Sequence, residues 1–289
     1  MKLAGPQPVE VAASHMIGAR TETLFGDGTS VLISNFLPPV QAQETLDAIR
    51  EEVDYVPRNQ LTYRGHPLAR SKAFYGDVYE DGSQPFYKYP GKAPPLTKEW
   101  TPTLRQVRDR LTALEMTYPR CKLKQVNTQV VVNAYTHPQD RIGKHMDKTE
   151  SFANGSAVMT VSLGGPRVMR VTNIQSNEHE DLVLDSGSLV VLSWSTNQTH
   201  HHEILPHVDD TAGSACPERI SLTYRNIVMR KNASGMRLMV PKAQYARQTG
   251  KVPYKHCDVI PLPQDESKQI AEQSYGSGRS LWLTDVKRG

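Results

Sequence analysis

A seven-residue stretch that alternates polar and apolar side chains decides how this chain folds: Arg219-Ile-Ser-Leu-Thr-Tyr-Arg225. A period of two residues is typical of a β-strand, because successive side chains of a strand point to opposite faces. The pattern therefore predicts a strand on which Arg219 and Arg225 project to the same side. Two cations that face inward require an anion, and the planar fork of a guanidinium matches a carboxylate in bidentate geometry. The stretch thus predicts a site for a molecule that carries a carboxylate.

Upstream, the tripeptide His145-Met-Asp147 places two metal-binding side chains at strand spacing. Met146 would turn away while His145 and Asp147 project together. With a second histidine, they would form a set of two imidazoles and one carboxylate. Such a set holds iron(II) on one face and leaves the opposite face open for a co-substrate and dioxygen. 2-Oxoglutarate suits this site, because one of its carboxylates can chelate the metal and the other can pair with an arginine.

Four histidines further along the chain compete for the remaining metal position: His200, His201, His202 and His207. In a strand, His200 and His202 face one side and His201 faces the other. At most one of His200 and His202 is therefore a natural ligand. The residues by themselves leave this choice open.

A longer set of motifs resembles the AlkB family of iron(II)/2-oxoglutarate dioxygenases. In chain order the matching segments are Arg70-Ser-Lys-Ala-Phe-Tyr-Gly-Asp77, Tyr87-Lys-Tyr-Pro-Gly91, Trp100-Thr-Pro-Thr-Leu104, Asn133-Ala-Tyr135, His145-Met-Asp147 and Arg219-x-Ser-x-Thr-x-Arg225. The chain departs from the family in two places. Ser221 stands where the family often has asparagine, and residues 226–289 follow the last arginine.

The resemblance implies a role for each matching residue. The metal ligands would be His145, Asp147 and His202, because His202-Glu-Ile-Leu-Pro206 is most similar to the sequence around the family's second histidine. The cofactors would be Fe(II), 2-oxoglutarate as co-substrate, and dioxygen. Binding of 2-oxoglutarate would fall to Asn133, Tyr135, Arg219, Ser221, Thr223 and Arg225. Contacts with the substrate would come from Arg70, Tyr75, Asp77, Tyr87 and Tyr89, and Tyr87 and Tyr89 could stack on an extruded base.

The function that the resemblance implies is oxidative removal of N-alkyl groups, such as methyl, from bases of DNA or RNA. This expectation depends on the segments Tyr75-Gly-Asp77 and Tyr87-Lys-Tyr-Pro-Gly91, which resemble the nucleotide-recognition lid of family members that act on nucleic-acid bases. The alternative is a 2-oxoglutarate oxygenase that acts on a small molecule or a protein, because one scaffold can serve many substrates.

The pattern of apolar residues predicts a mainly β fold in which short strands close as a jelly roll with two flanking helices. The helices are expected at Gln41 to Val53 and Thr101 to Met116. Strands are expected at 31–36, 126–135, 157–163, 166–174, 181–193, 200–206 and 219–229. The predicted organisation is an N-terminal scaffold (1–60), a substrate-recognition lid (61–100), the jelly-roll core (101–230) and a basic C-terminal extension packed on or near the core (231–289).

We expect an intracellular protein, cytoplasmic or nuclear and not secreted, and we expect it to act as a monomer. The chain has 289 residues, 38% hydrophobic and 22% charged, and a net charge of +4. The N-terminal residues contain no apolar run of the length that a signal peptide or a membrane span needs. Three cysteines without metal-ligand spacing favour a reducing compartment. Residues 231–289 carry ten basic and five acidic side chains, so this extension could contact phosphates or could be a solvated surface.

Overall fold

The computed structural model describes residues 10–12, 20–24, 29–58, 60–63, 66–87, 97–118, 121–123, 125–149, 151–153, 155–207, 216–231, 238–241 and 259–261. The helices in these ranges are α1 Pro39–Glu52, α2 Pro102–Thr112 and α3 Trp194–Thr199. The strands are β1 Glu10–Ala12, β2 Arg20–Thr23, β3 Val31–Ser34, β4 Thr62–Tyr63, β5 His66–Pro67, β6 Ser71–Gly76, β7 Gln84–Pro85, β8 Lys98–Glu99, β9 Glu115–Tyr118, β10 Cys121–Leu123, β11 Gln129–Tyr135, β12 Ile142–His145, β13 Val158–Gly164, β14 Arg167–Asn173, β15 His179–Leu184, β16 Leu189–Leu192, β17 His200–Ile204, β18 Arg219–Arg225, β19 Arg230–Lys231, β20 Leu238–Pro241 and β21 Val259–Pro261. No helix in the described ranges is long and apolar enough to cross a membrane.

Two sheets form the body of the molecule. The major sheet has the strand order β2-β3-β16-β13-β18-β11-β6-β8, and the minor sheet has the order β12-β17-β14-β15. Pairing is antiparallel throughout both sheets except between β6 and β8. This arrangement confirms the predicted mainly β fold with flanking helices. Strand β6 pairs with β11 inside the major sheet, so the range expected to form a lid also supplies a strand of the core.

The outer face of the major sheet packs against α1 and α2. From β18 it presents Ile220, Leu222 and Tyr224, and the helices contribute Leu46 and Ile49 from α1 and Leu104, Val107 and Leu111 from α2. Burial of each such side chain contributes roughly 1.5–3 kcal/mol. Helix α2 begins where the Thr101 side chain accepts a hydrogen bond from the Leu104 amide. Both predicted helices are present, but α2 ends at Thr112 rather than Met116, because Glu115 and Met116 belong to β9.

The inner face of the major sheet is polar at its centre and faces the minor sheet. Strand β18 is buried along its whole length, because the helices cover its apolar side and the second sheet covers the side that carries the two arginines. The alternation predicted from Arg219 to Arg225 is therefore correct, but both faces of the strand are buried.

The strand expected at 181–193 is divided into β15 and β16 by a turn. Gly187 in this turn has a φ of 80°, a conformation that L side chains rarely adopt. A Cβ atom at this position would lie 2.1 Å from the Leu37 carbonyl oxygen, and the Leu37 amide donates a hydrogen bond to the Gly187 oxygen. The turn thereby fixes the entry of α1 against the sheet.

We expect Gly187→Ala to lower the free energy of unfolding by about 1–3 kcal/mol, because it combines left-handed backbone strain with a clash against backbone. Urea unfolding monitored by circular dichroism measures the change. Gly143→Ala is the matched control, since a Cβ at Gly143 meets nothing within 4 Å. Equal stability of the two variants would contradict this account of the turn.

Candidate metal centre

Strand pairing in the minor sheet brings His145 of β12 directly opposite His202 of β17. The ring centroids of the two imidazoles are 4.3 Å apart. Asp147 follows β12, and the ligand atoms of His145, Asp147 and His202 all lie within 4.8 Å of one another. The structure thus brings together the three residues expected to bind the metal. His200 is not part of this group. Its Nε2 lies 3.3 Å from the side-chain nitrogen of Asn173, and its Nδ1 lies 2.9 Å from the Thr199 hydroxyl.

The environment of the two histidines keeps them neutral, which metal binding requires. Burial lowers the pKa of His145. Burial, followed by repulsion from His145, lowers the pKa of His202 to about 3. His145 Nδ1 lies 2.9 Å from the Gly143 carbonyl oxygen, an acceptor that assigns the proton to Nδ1 and leaves the Nε2 lone pair for the metal.

Asp147 is buried, ionised and held from three directions. Its carboxylate accepts hydrogen bonds from the Tyr87 hydroxyl at 3.0 Å and from Arg225 Nη2 at 3.0 and 3.1 Å. Burial by itself would raise the pKa of Asp147, but the Arg225 guanidinium holds it well below its usual value. Asn197 fixes the backbone of the same residue, because its side chain accepts from the Asp147 amide and donates to the Asp147 carbonyl. Two neutral imidazoles and one anchored carboxylate form a donor set that fits Fe(II).

Arg219 lies fully buried at the other end of β18. Its guanidinium donates to the Ser162 hydroxyl at 2.9 Å and stacks over the Tyr135 ring, 5.0 Å from its centroid. Among the described residues, Arg219 Nε and Nη1 and the Tyr135 hydroxyl have no hydrogen-bond partner. Burial lowers the pKa of Arg219. Burial of a cation whose N–H groups lack acceptors lowers stability unless an anion pairs with it. This position therefore fits a carboxylate of 2-oxoglutarate.

A row of side chains in register crosses the sheet between the metal residues and Arg219. Asn133 of β11 lies opposite Lys72 of β6 and Ser221 of β18. The Asn133 oxygen accepts a hydrogen bond from Arg70 Nε at 2.9 Å, and its nitrogen lies 3.4 Å from the Ser221 hydroxyl. Ser221 therefore meets the amide of Asn133 although it replaces the asparagine common in the family. Thr223 lies on the same face, 3.5 Å from the Thr160 hydroxyl.

The residues expected to contact substrate have different surroundings. Tyr87 is buried, and its ring centroid is 5.7 Å from that of Phe152. Its hydroxyl donates a hydrogen bond to the Asp147 carboxylate. Arg70 is buried and bonded to Asn133 and to the Arg141 carbonyl. Tyr89 lies outside the described residues.

Tyr75 and Asp77, which were expected to contact substrate, have their side chains in other contacts. Tyr75 points to the outer face of the sheet, packs in the core beneath the helices and accepts a hydrogen bond from the Asp54 amide. The Asp77 carboxylate accepts from the Trp100 indole at 2.7 Å and lies 3.5 Å from Arg108. Both side chains thus make contacts on the outer face, away from the metal ligands. Neighbouring residues of a strand face opposite sides of the sheet, and Phe74 takes the inner side.

The sequence analysis did not identify Asn197 as a residue that positions Asp147, and it assigned no role to Lys72. Asn197 belongs to the six-residue helix α3, which is too short to produce a readable apolar period. The inward direction of Lys72 could have been found, because Arg70, Lys72 and Phe74 share strand spacing with each other.

A jelly roll with two histidines and a carboxylate beside a buried arginine defines an iron-dependent oxygenase that uses a keto acid. The profile of the 2OG-Fe(II) oxygenase superfamily matches residues 29–225. The chain belongs to this superfamily and, by its motifs and relatives, to the AlkB family within it. The cofactors are accordingly Fe(II), 2-oxoglutarate and dioxygen.

Three similar relatives are DNA oxidative demethylases named ALKBH2. The protein of Bos taurus is 30% identical over 203 residues, which cover 65% of each chain. The protein of Mus musculus is 28% identical over 78% of this chain and 92% of its own length. The protein of Homo sapiens is 26% identical over 75% of this chain and 80% of its own length. The chain therefore spans slightly less than two thirds of the bovine relative.

We expect His202→Ala to abolish iron binding and 2-oxoglutarate turnover, because it removes one of three clustered ligands without removing core volume. Isothermal titration with Fe(II) under argon and succinate formation measure the two effects. His201→Ala is the matched control from the adjacent position and should retain most of the binding. If the control loses iron while His202→Ala keeps it, the ligand assignment is wrong.

We expect Arg219→Met to raise the KM for 2-oxoglutarate by roughly tenfold to a hundredfold, because a charge-assisted hydrogen bond contributes about 1.5–3 kcal/mol. Steady-state succinate formation at varied 2-oxoglutarate measures it. Arg170→Met is a control on the neighbouring sheet, where Arg170 pairs with Asp181 at a more exposed position. An unchanged KM in Arg219→Met would place the co-substrate elsewhere.

Proposed function

We propose that this enzyme oxidatively removes N-alkyl groups from nucleic-acid bases, with alkylated DNA as its principal substrate. The observation that carries the proposal is the position of Tyr87. Its hydroxyl donates a hydrogen bond to the Asp147 carboxylate. The motif Tyr87-Lys-Tyr-Pro-Gly91 resembles the family's nucleotide-recognition segment, and its first residue therefore lies beside the metal ligands. The names of the three relatives support the same substrate class.

One group of side chains would hold the metal, and another would hold the co-substrate. Arg225 and Tyr87 orient the Asp147 carboxylate, and Arg219 with Tyr135 offers donors to the distant carboxylate of 2-oxoglutarate. When bound, Fe(II) with 2-oxoglutarate and dioxygen supplies the oxidising chemistry, in which the keto acid becomes succinate and carbon dioxide. The substrate carbon attached to nitrogen gains one oxygen, and the resulting hemiaminal separates into the free base and an aldehyde.

A base inside a duplex cannot reach a buried metal, so the target nucleotide must be extruded or single-stranded. The roles of Arg70, Tyr87 and Tyr89 in holding that base stay predictions. The intracellular location, the monomeric state and the phosphate-contacting role of residues 231–289 stay predictions as well.

We expect the purified enzyme with Fe(II), 2-oxoglutarate and ascorbate to release formaldehyde from oligodeoxynucleotides that carry one N-methylated base. Mass spectrometry of the oligonucleotide should show a matching loss of the methyl group. The unmodified oligonucleotide and the free methylated nucleosides are the controls. Efficient turnover of a small metabolite, with every methylated oligonucleotide left intact, would replace this proposal with a small-molecule oxygenase.

A further inference from the structure

Arg167 is a second buried arginine at the end of the molecule where Arg219 lies. It is 2% exposed, and it begins β14 three residues after Gly164, which lies opposite Arg219 in the register of β13 and β18. Strand alternation gives Arg167 the same face of β14 as Met169, which packs in one cluster with Tyr135 between the two sheets. Burial lowers the pKa of Arg219, and the positive charge of Arg167 lowers it further. Arg167 therefore lies close to the position that fits 2-oxoglutarate.

The Arg167 guanidinium presents one edge of its fork to the sulfur of Cys216. Its Nη2 donates to Cys216 Sγ at 2.9 Å, while its Nη1 donates to the Pro166 carbonyl oxygen at 3.1 Å. Nε is the second donor on the edge that faces Cys216. It is buried and has no hydrogen-bond partner among the described residues. The edge thus has one N–H group that meets the sulfur and one that lacks an acceptor.

Arg170, on the opposite face of the same strand, shows what such an edge binds. Its Nε and Nη2 donate to the two carboxylate oxygens of Asp181, each at 2.7 Å. This bidentate arrangement requires two neighbouring acceptor atoms. At Arg167 the sulfur of Cys216 supplies the first acceptor atom, and an oxygen atom bonded to that sulfur would supply the second.

Cys216 can acquire such an oxygen by oxidation. It is a free thiol and is partly exposed, so a small oxidant such as hydrogen peroxide reaches it from solvent. In this reaction one S–O bond forms and the O–O bond breaks. The sulfur loses two electrons, and the thiol proton leaves with the second peroxide oxygen as water, so the products are a sulfenic acid and water. A neighbouring arginine generally favours reactions of this kind at cysteine.

We propose that Cys216 is a site of reversible oxidation to a sulfenic acid, which Arg167 holds, and that this modification weakens the binding of 2-oxoglutarate at Arg219. The new oxygen accepts a hydrogen bond from the Arg167 Nε–H and satisfies a buried donor. A sulfenate anion also neutralises the charge of Arg167. The positive potential at Arg219 then falls, so a dicarboxylate binds less tightly. Thiol reductants reverse the step.

The first experiment locates the modification. The enzyme is loaded with Mn(II) in place of Fe(II), because Fe(II) and peroxide together form radicals, and it is then treated with hydrogen peroxide. Dimedone traps a sulfenic acid as a stable thioether, and peptide mass spectrometry identifies the labelled residue. We expect labelling of Cys216 in the wild type and about tenfold less in Arg167→Met, which removes the guanidinium. An unlabelled Cys216, or equal labelling in the two proteins, overturns the assignment of this site.

The second experiment measures the consequence for the co-substrate by calorimetric titration of the Mn(II) protein with 2-oxoglutarate. After removal of peroxide, the oxidised wild type should bind about fivefold more weakly, which corresponds to roughly 1 kcal/mol, and dithiothreitol should restore the affinity. Cys216→Ser is the matched control and should bind like the reduced wild type before and after treatment. Cys216→Asp carries the negative charge permanently and should bind about fivefold more weakly without peroxide.

Each outcome of the titrations decides a part of the proposal. A loss of affinity that persists in Cys216→Ser, or an unchanged affinity in the labelled wild type, overturns the link between Cys216 and co-substrate binding. An unchanged affinity in Cys216→Asp overturns the electrostatic explanation. Thermal unfolding shows whether each variant is folded, and should Arg167→Met fail to fold, the wild type and the two Cys216 variants still decide the question. Neither readout involves an oligonucleotide, so failure here leaves the proposed demethylation intact.

Discussion

The ion pair between Arg225 and Asp147 is the interaction on which the rest of the site depends. Arg225 ends β18 of the major sheet, and Asp147 follows β12 of the minor sheet, so the pair joins the two layers at the metal position. Both side chains are buried, and removal of one partner from such a pair costs about 3–5 kcal/mol. The guanidinium also stacks 4.9 Å from the Tyr87 ring centroid. One ion pair therefore orients the Asp147 carboxylate and keeps it ionised, and its guanidinium also contacts the Tyr87 ring.

The electrostatic state of the site follows from this pair. Arg225 neutralises Asp147, which leaves Arg70 and Arg219 as buried cations without a carboxylate partner among the described side-chain contacts. A dication bound alone would add to the repulsion, whereas the dianionic co-substrate offsets it. Metal and 2-oxoglutarate should therefore stabilise the folded protein more together than the sum of their separate effects.

The sequence predicted the parts of the site that depend on local periodicity. Alternation from Arg219 to Arg225 gave the strand and the common direction of the arginines, and His145 and Asp147 were found by their spacing. His202 could be chosen only through a family resemblance, because strand geometry treats it like His200. Tyr75 was expected to contact substrate, but it packs in the core beneath the helices, because alternate residues of a strand face opposite sides of the sheet. The contact of Asn197 with Asp147 joins residues 50 positions apart, and no local pattern encodes such a contact.

The segment that carries Tyr87 is held in part by residues that lie beyond the family profile, which ends at 225. Strand β7 pairs with β19, the Phe86 amide donates to the Met229 carbonyl, and the next residue is Tyr87. A fragment that stops at Arg225 would keep every metal ligand and both arginines of β18. It would lose the backbone that pairs with the residues before Tyr87, so we expect a catalytically active fragment to extend at least through Lys231.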